Sequence, residues 1–212
     1  MRATEEHILD EYGDFAEDYE KVISGYGYCA DRVAPAMAAA ELSARGAELG
    51  CPWRVLDLGC GPGNAAAFYF EAAEQYSVVG VDLTPEMVEK ARKRPYAEVL
   101  CQNIEADLPF EDGTFALVQL VGVSEFVNEP LETFGRLRRK LRPGGLLLVT
   151  IPEKIPQDME LKYKIRTWRR GELEEHIEKS GFEYVRSQSC VGYSLGDVTV
   201  SYLCGLWRRA GE

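Results

Sequence analysis

The chain has 212 residues, 46% hydrophobic and 28% charged, proportions that fit an ordinary globular protein and exclude a disordered or fibrous one. Its 35 acidic and 24 basic residues leave a formal charge of -11, which repels phosphate backbones and anionic lipid surfaces, so neither nucleic acid nor a membrane is an expected partner. This length suits one domain over residues 1–212, with a helical cap at 1–50 and the main fold at 51–212.

In the cap, Ile8, Tyr12, Phe15 and Tyr19 recur at three or four residues, as do Val33, Met37 and the alanines of 40–44. This spacing predicts two helices, separated by a glycine turn at Ser24-Gly-Tyr-Gly-Tyr-Cys29. The start of the chain is polar and no window reaches the roughly 18 apolar residues of a membrane span, so a cytosolic protein is expected, as a monomer or homodimer. The six cysteines form no Cys-x-x-Cys pair, which argues against a zinc or dithiol site and for small buried residues; no metal is expected.

After the cap, short apolar runs alternate with helical stretches. Strands are predicted at 54–58, 77–82, 97–101, 115–121 and 146–151, and helices at 65–75, 85–92 and 131–141, with Thr84 and Pro85 opening the second of these. The alternation implies right-handed crossovers and a mostly parallel sheet with helices on both faces. A helix at 172–180 then precedes two strands, 182–186 and 198–204, too close for a crossover and therefore antiparallel neighbours.

The first strand runs into Asp57-Leu-Gly-Cys-Gly-Pro-Gly-Asn64, where glycines let a ligand reach the backbone, and the second strand ends in Asp82, 19 positions beyond Gly63, where a carboxylate can accept from a ribose diol. A dinucleotide fingerprint beginning at Gly59 and Gly61 requires glycine at position 64, which is asparagine. Pro62 removes an N–H and no basic residue is close in sequence, so a cofactor without phosphates fits better than a pyrophosphate.

The glycine turn, Asp82 with Leu83 and Met87, the run from Asp107 to Phe115, and Leu141-Arg-Pro-Gly-Gly145 stand in the order seen in the class I S-adenosylmethionine-dependent methyltransferases, which residues 53–187 resemble. The run from Tyr12 to Tyr19 resembles the cap of that family's small-molecule branch, including the Williams–Beuren-region methyltransferase-like proteins. The resemblance implies a Rossmann-like three-layer sandwich whose seven-stranded sheet has its last strand antiparallel, S-adenosyl-L-methionine as cofactor, and methyl transfer to a small molecule on oxygen, nitrogen or carbon. It implies that Gly59, Cys60 and Gly61 meet the methionine portion, Asp57 supports the turn, and Asp82 holds the ribose. Leu83, Asn103 and Ile104 would surround the adenine, Val121 and Gly122 would border the methyl end, and Tyr12 and Tyr19 would close over it. Asn103 replaces a common aspartate and offers an uncharged acceptor; Ala116 replaces another.

A sulfonium methyl is already activated, so alignment and exclusion of water supply most of the catalysis, although an oxygen or protonated amine also needs a base. His7, in the cap, and Glu125, after the fourth strand, are candidates for that base, whereas His176 reads as a solvated residue of a charged helix. Phe15, Tyr26, Tyr28, Phe126, Tyr163 and Trp168 are candidate substrate contacts. Residues 152–170 read as a lid, whose Lys162, Lys164 and Arg166 would suit an anionic acceptor, making an aromatic or carboxylate-bearing metabolite the natural expectation. Two other readings remain: an S-adenosylmethionine-binding cyclase or binding protein, and a nicotinamide-dependent oxidoreductase.

Overall fold

The structure is a computed structural model that describes residues 3–46, 51–153, 155, 157, 160–161, 164–169, 171–195 and 198–211. Among the described residues three helices, not two, precede the first strand: α1 (Glu5–Phe15), α2 (Tyr19–Gly25) and α3 (Ala30–Ala44). Thr4 starts α1 by accepting the His7 N–H at 3.3 Å, and Glu5 and Glu6 face the positive end of the helix. The chain then turns a corner at buried Ala16, whose N–H bonds the Gly13 carbonyl. The single aromatic stripe seen in the sequence therefore spans two helices.

The remaining elements are β1 (Trp53–Leu58), α4 (Ala67–Phe70), β2 (Tyr76–Asp82), α5 (Pro85–Ala91), β3 (Glu98–Cys101), β4 (Phe115–Leu120), a 3₁₀ turn at Ser124–Phe126, α6 (Pro130–Lys140), β5 (Leu141–Pro152), α7 (Glu172–Lys179), β6 (Phe182–Leu195) and β7 (Val198–Arg209). The expected helix over 65–75 is regular only at Ala67–Phe70. Phe68, Tyr69 and Phe70 are indifferent helix formers, and Tyr69 is drawn into the core, where its hydroxyl donates to Gln119 at 2.9 Å.

The seven strands lie in the order β3-β2-β1-β4-β5-β7-β6, with β7 antiparallel to both its neighbours and β1 to β5 parallel. The Rossmann-like sandwich with an N-terminal helical cap is thus as expected. β6 and β7 are far longer than their apolar runs suggest, because β6 is an edge strand and its polar stretch Ser187-Gln-Ser189 continues the ladder with β7.

Alternate residues of the central strands feed two cores. Val55, Leu117, Leu146 and Leu148 pack with Ala34, Met37, Ala38 and Leu42 of α3. Leu56, Val118, Leu147 and Val149 pack on the other face with Phe134 and Leu137 of α6 and with Leu173 and Ile177 of α7. Burial on both faces explains why these strands read as continuous apolar runs. The strand order reverses between β1 and β4, and a crevice opens at their carboxyl ends, where ligands of such sheets bind.

Among the described residues, no helix is long and apolar enough to cross a membrane, and no group of three His, Cys, Asp or Glu side chains is placed to hold a metal. The expectation that the cysteines are small buried residues holds for only two of the six. Cys60 and Cys204 are buried, Cys29 and Cys190 half-buried, and Cys51 and Cys101 exposed.

Candidate active site

The turn after β1 is built on left-handed glycines. Gly59 has φ +63°, and a Cβ there would lie 2.4 Å from Val123 Cγ2; Gly61 has φ +51° and open space where its Cβ would be. The Gly61 N–H donates to Asp82 Oδ2 at 2.7 Å, while Asp82 Oδ1 accepts the Thr84 N–H at 2.9 Å. One carboxylate thereby ties the β1 turn to the start of α5, and Thr84, expected as a side-chain cap, makes no such bond.

Asp57 stands below the turn and does not reach the crevice. It is buried, its Oδ2 accepts from Tyr96 Oη at 2.7 Å, and its Oδ1 accepts from Gln119 Nε2 at 2.8 Å. With Tyr69 on Gln119, this chain crosses β1, β4 and the segments beside them. Burial lifts the Asp57 carboxyl from 3.8 to about 6, against the two hydrogen bonds that lower it, and the nearby Asp82 charge adds to the rise. The native state therefore binds this proton more tightly than the unfolded chain does. Its contribution to stability is complete below pH 3.8 and lost as the pH rises through 6, a difference of about 3 kcal/mol. Urea melts between pH 4 and 7 are expected to show this fall, and Asp57→Asn, whose amide can donate to a reoriented Tyr96 hydroxyl, is expected to flatten it. An equal slope in both proteins would assign the pH dependence to other groups.

A cavity of about 110 Å³ lies over the turn, bounded by Gly59, Gly61, Asp82, Leu83, Asn103, Ile104, Val121 and Gly122, with Tyr12 and Tyr19 above. Sequence reasoning named all ten. Cys60 turns away, packing its side chain against Val88, Ala91 and Val99. The Asn103 Oδ1 expected to meet the adenine also accepts the Glu105 N–H at 2.8 Å, and its Nδ2 donates to Glu5. Met87 and Glu105 also border this space. Glu105 accepts from the N–H groups of Asn128 and Glu129, capping the start of α6, an arrangement visible only once the chain is folded.

The expectation that no cation stands near the turn needs correction. Arg94, 31 residues beyond Gly63, donates to the Gly63 carbonyl at 3.5 Å and to Asn64 Oδ1 at 3.2 Å. It also pairs with Glu20 of the cap and lines neither cavity, so its charge is committed to holding the cap against the turn.

A second, larger cavity of about 230 Å³ adjoins the first, and Ile8, Tyr12, Tyr19, Gly122 and Phe126 border both. Phe15, Tyr26 and Tyr28 line it as expected, and so do both base candidates, His7 and Glu125. Tyr28 is held over Gly122, where an added Cβ would be 2.9 Å from its hydroxyl, and the Tyr26 carbonyl accepts the Ser194 N–H of β6 at 2.8 Å. Two lining residues, Tyr193 and Tyr202, escaped sequence reasoning because they lie on the end strands, far in sequence from the cap. Tyr202 Oη donates to Glu125 Oε1 at 2.9 Å across 77 positions. Burial pushes the Glu125 carboxyl above its usual range, opposed by hydrogen bonds that include those from Tyr202 and Ser124.

Two other expectations are overturned by packing. Trp168 does not line this cavity; it is buried in the core beneath the 3₁₀ turn, donating from Nε1 to the Ser124 carbonyl at 3.0 Å. His176 is half-buried with its ring edge-on to Trp168 at 6.0 Å, because its helix turns one side inward. Tyr163 and Lys162 lie outside the described residues, as does part of the expected lid.

The fold agrees with that of known proteins. Residues 56–149 match the family described as Methyltransferase domain. A trans-aconitate 2-methyltransferase of Methylobacterium nodulans is 34% identical over 125 residues, 56% of this chain and 45% of that protein. The chain spans about half or less of the length of the curated relatives it matches. Among solved structures, Burkholderia thailandensis 1,6-didemethyltoxoflavin-N1-methyltransferase, with bound 1,6-didemethyltoxoflavin and S-adenosylhomocysteine, superposes at TM-score 0.73 with 20% identity, covering 100% of this chain and 92% of that one. The cyclase SpnF superposes at TM-score 0.72 with 18% identity, covering 100% and 98%. Residues 56–149 thus match a methyltransferase-domain model, and the chain shares the fold of these solved structures.

Proposed function

We propose that the protein binds S-adenosylmethionine in the smaller cavity and methylates a small molecule held in the larger one. The observation that carries this reading is the adjacency of the two spaces at Gly122, under Tyr12, Tyr19 and Phe126. The residues present fit the cofactor. Gly61 leaves its backbone open, Asp82 keeps lone pairs beyond the two it uses, and Leu83 and Ile104 offer apolar surface. Among the described residues no lysine or arginine borders this cavity, which suits a ligand without phosphates and not a dinucleotide.

When bound, S-adenosylmethionine supplies a methyl whose bond to sulfur breaks with the electron pair left on sulfur, giving S-adenosylhomocysteine. The chain's own part is to align the acceptor across Gly122, to exclude water with the aromatic cap, and to take any proton the acceptor loses. Glu125 and His7 face the acceptor space for that purpose; burial raises the proton affinity of Glu125, as a base working near neutral pH requires.

Calorimetric titration is expected to show binding of S-adenosylmethionine and S-adenosylhomocysteine and none of NADH. Binding of NADH alone would replace this reading with the oxidoreductase one. Cofactor that binds but never becomes S-adenosylhomocysteine with any acceptor would favour the cyclase or binding-protein reading, whose present support is likeness of fold.

A further inference from the structure

The larger cavity has an unusual charge balance for a space expected to take a metabolite. Six tyrosines and two phenylalanines line it, together with Glu11, Glu125 and His7; among the described residues no lysine or arginine does. Arg166, whose N–H bonds the Glu125 carbonyl at 3.0 Å, turns its guanidinium away, stacking on Trp168 at 3.6 Å and pairing with Glu172 at 3.2 Å. Of the three cations expected to attract an anionic acceptor, Arg166 is therefore already committed, Lys164 does not line the cavity, and Lys162 lies outside the described residues.

Taking the larger cavity as the acceptor site, as the proposed function does, we propose that the molecule it binds is a small organic cation, an ammonium whose charge rests against Glu125 and the surrounding tyrosine rings. Glu125 is 6% exposed, and its side-chain partners among the described residues, Tyr202 and Ser124, are uncharged hydroxyls. A buried carboxylate without a cationic partner is costly, and an incoming ammonium relieves that cost where a carboxylate would add to it. Tyr202 is the hub of the cage. Tyr28 meets it edge-to-face at 5.9 Å and Tyr193 at 6.4 Å, so three tyrosine rings and a carboxylate meet at one end of the space. Rings so placed attract a cation in addition to the carboxylate. Burial keeps the Tyr28 and Tyr202 hydroxyls protonated, so neither becomes a second buried anion at neutral pH. Glu125 lies within the matched segment 56–149, whereas Tyr28, Tyr193 and Tyr202 lie outside it.

Three probes of one shape test the charge: tyramine, 3-(4-hydroxyphenyl)propionate and 4-ethylphenol, titrated calorimetrically into the full chain with and without S-adenosylhomocysteine. Tyramine is expected to bind at least about tenfold more tightly than the carboxylate. Glu125→Gln is expected to remove that preference while leaving 4-ethylphenol unchanged, and Tyr202→Phe, which keeps ring and charge, to retain it. Equal or tighter binding of the carboxylate overturns the proposal, as does failure of all three probes to bind. Should Glu125→Gln fail to fold, the wild-type ratio and Tyr202→Phe still decide. S-adenosylhomocysteine titrated alone reports separately on the cofactor reading, so the two can fail independently.

Discussion

Gly59→Ala is expected to cost about 2–5 kcal/mol of stability and to remove measurable S-adenosylmethionine binding. The left-handed φ of +63° accounts for about 1–2 kcal/mol of this for any residue with a Cβ. The rest comes from overpacking, about 1–3 kcal/mol, because the new methyl would lie 2.4 Å from Val123 Cγ2 and 3.0 Å from Cγ1. Val123 is buried and opens the 3₁₀ turn carrying Glu125 and Phe126, so its retreat disturbs both cavities together. Gly61→Ala is the matched control, with the same backbone strain at φ +51° but nothing within 4 Å of the added methyl. It should lose about 1–2 kcal/mol and no more. Urea unfolding followed by tryptophan fluorescence measures both. If Gly59→Ala is no less stable than Gly61→Ala, the close approach to Val123 does not constrain this turn.

The contrast between those glycines marks what a sequence reader can and cannot see. The spacing of Gly59, Gly61 and Gly63 after an apolar strand announces a ligand turn, because the backbone there must bend where side chains would obstruct. Which glycine is crowded depends on Val123, a residue 64 positions away from Gly59. The same distance hid the site's electrostatics. Arg94 and Glu20, or Glu125 and Tyr202, carry no local pattern that pairs them, and only the crossing of β7 beneath the cap brings the latter two within 2.9 Å. The parallel strands were legible because burial on both faces makes them continuously apolar. β6 was legible only over 182–186, since an edge strand half in water can spell Ser187-Gln-Ser189 and still hydrogen-bond along its length. Aromatic residues misled for a related reason: Tyr12 and Trp168 look equally fit for a substrate, but Trp168 has an indole N–H that finds a backbone acceptor in the core.

The two cavities draw on different segments of the chain. The smaller is bordered mainly by the ends of β1, β2 and β4 and the loop after β3, within the matched region, whereas the larger draws on α1, α2, β6 and β7 as well as on Gly122, Glu125 and Phe126 of that region. Under the proposed function, the cofactor site falls mainly within the matched segment and the acceptor site partly outside it. An acceptor inferred from this chain must be argued from Glu125 and the tyrosines, not transferred from a relative.

Asp82→Ala is expected to weaken S-adenosylhomocysteine binding by about 100-fold or more. A carboxylate has about four lone-pair positions, and the Gly61 and Thr84 N–H groups occupy two. The other two are available to a ribose diol, at about 1.5–3 kcal/mol for each bond to a charged acceptor, and about 1.4 kcal/mol is tenfold in affinity. Alanine also leaves both N–H groups without their acceptor, so affinity could fall because the turn collapses and not because the ribose loses its partner. Asp82→Asn, with one acceptor oxygen retained, should lie between. The two causes separate with 5′-methylthioadenosine and its 2′-deoxy analogue. If the spare lone pairs meet the ribose, the wild-type protein prefers the hydroxylated compound by about tenfold and Asp82→Ala has no preference, whatever its overall affinity. A wild-type protein that binds both alike would confine Asp82 to holding the turn, and the ribose contact would have to be sought elsewhere in the smaller cavity.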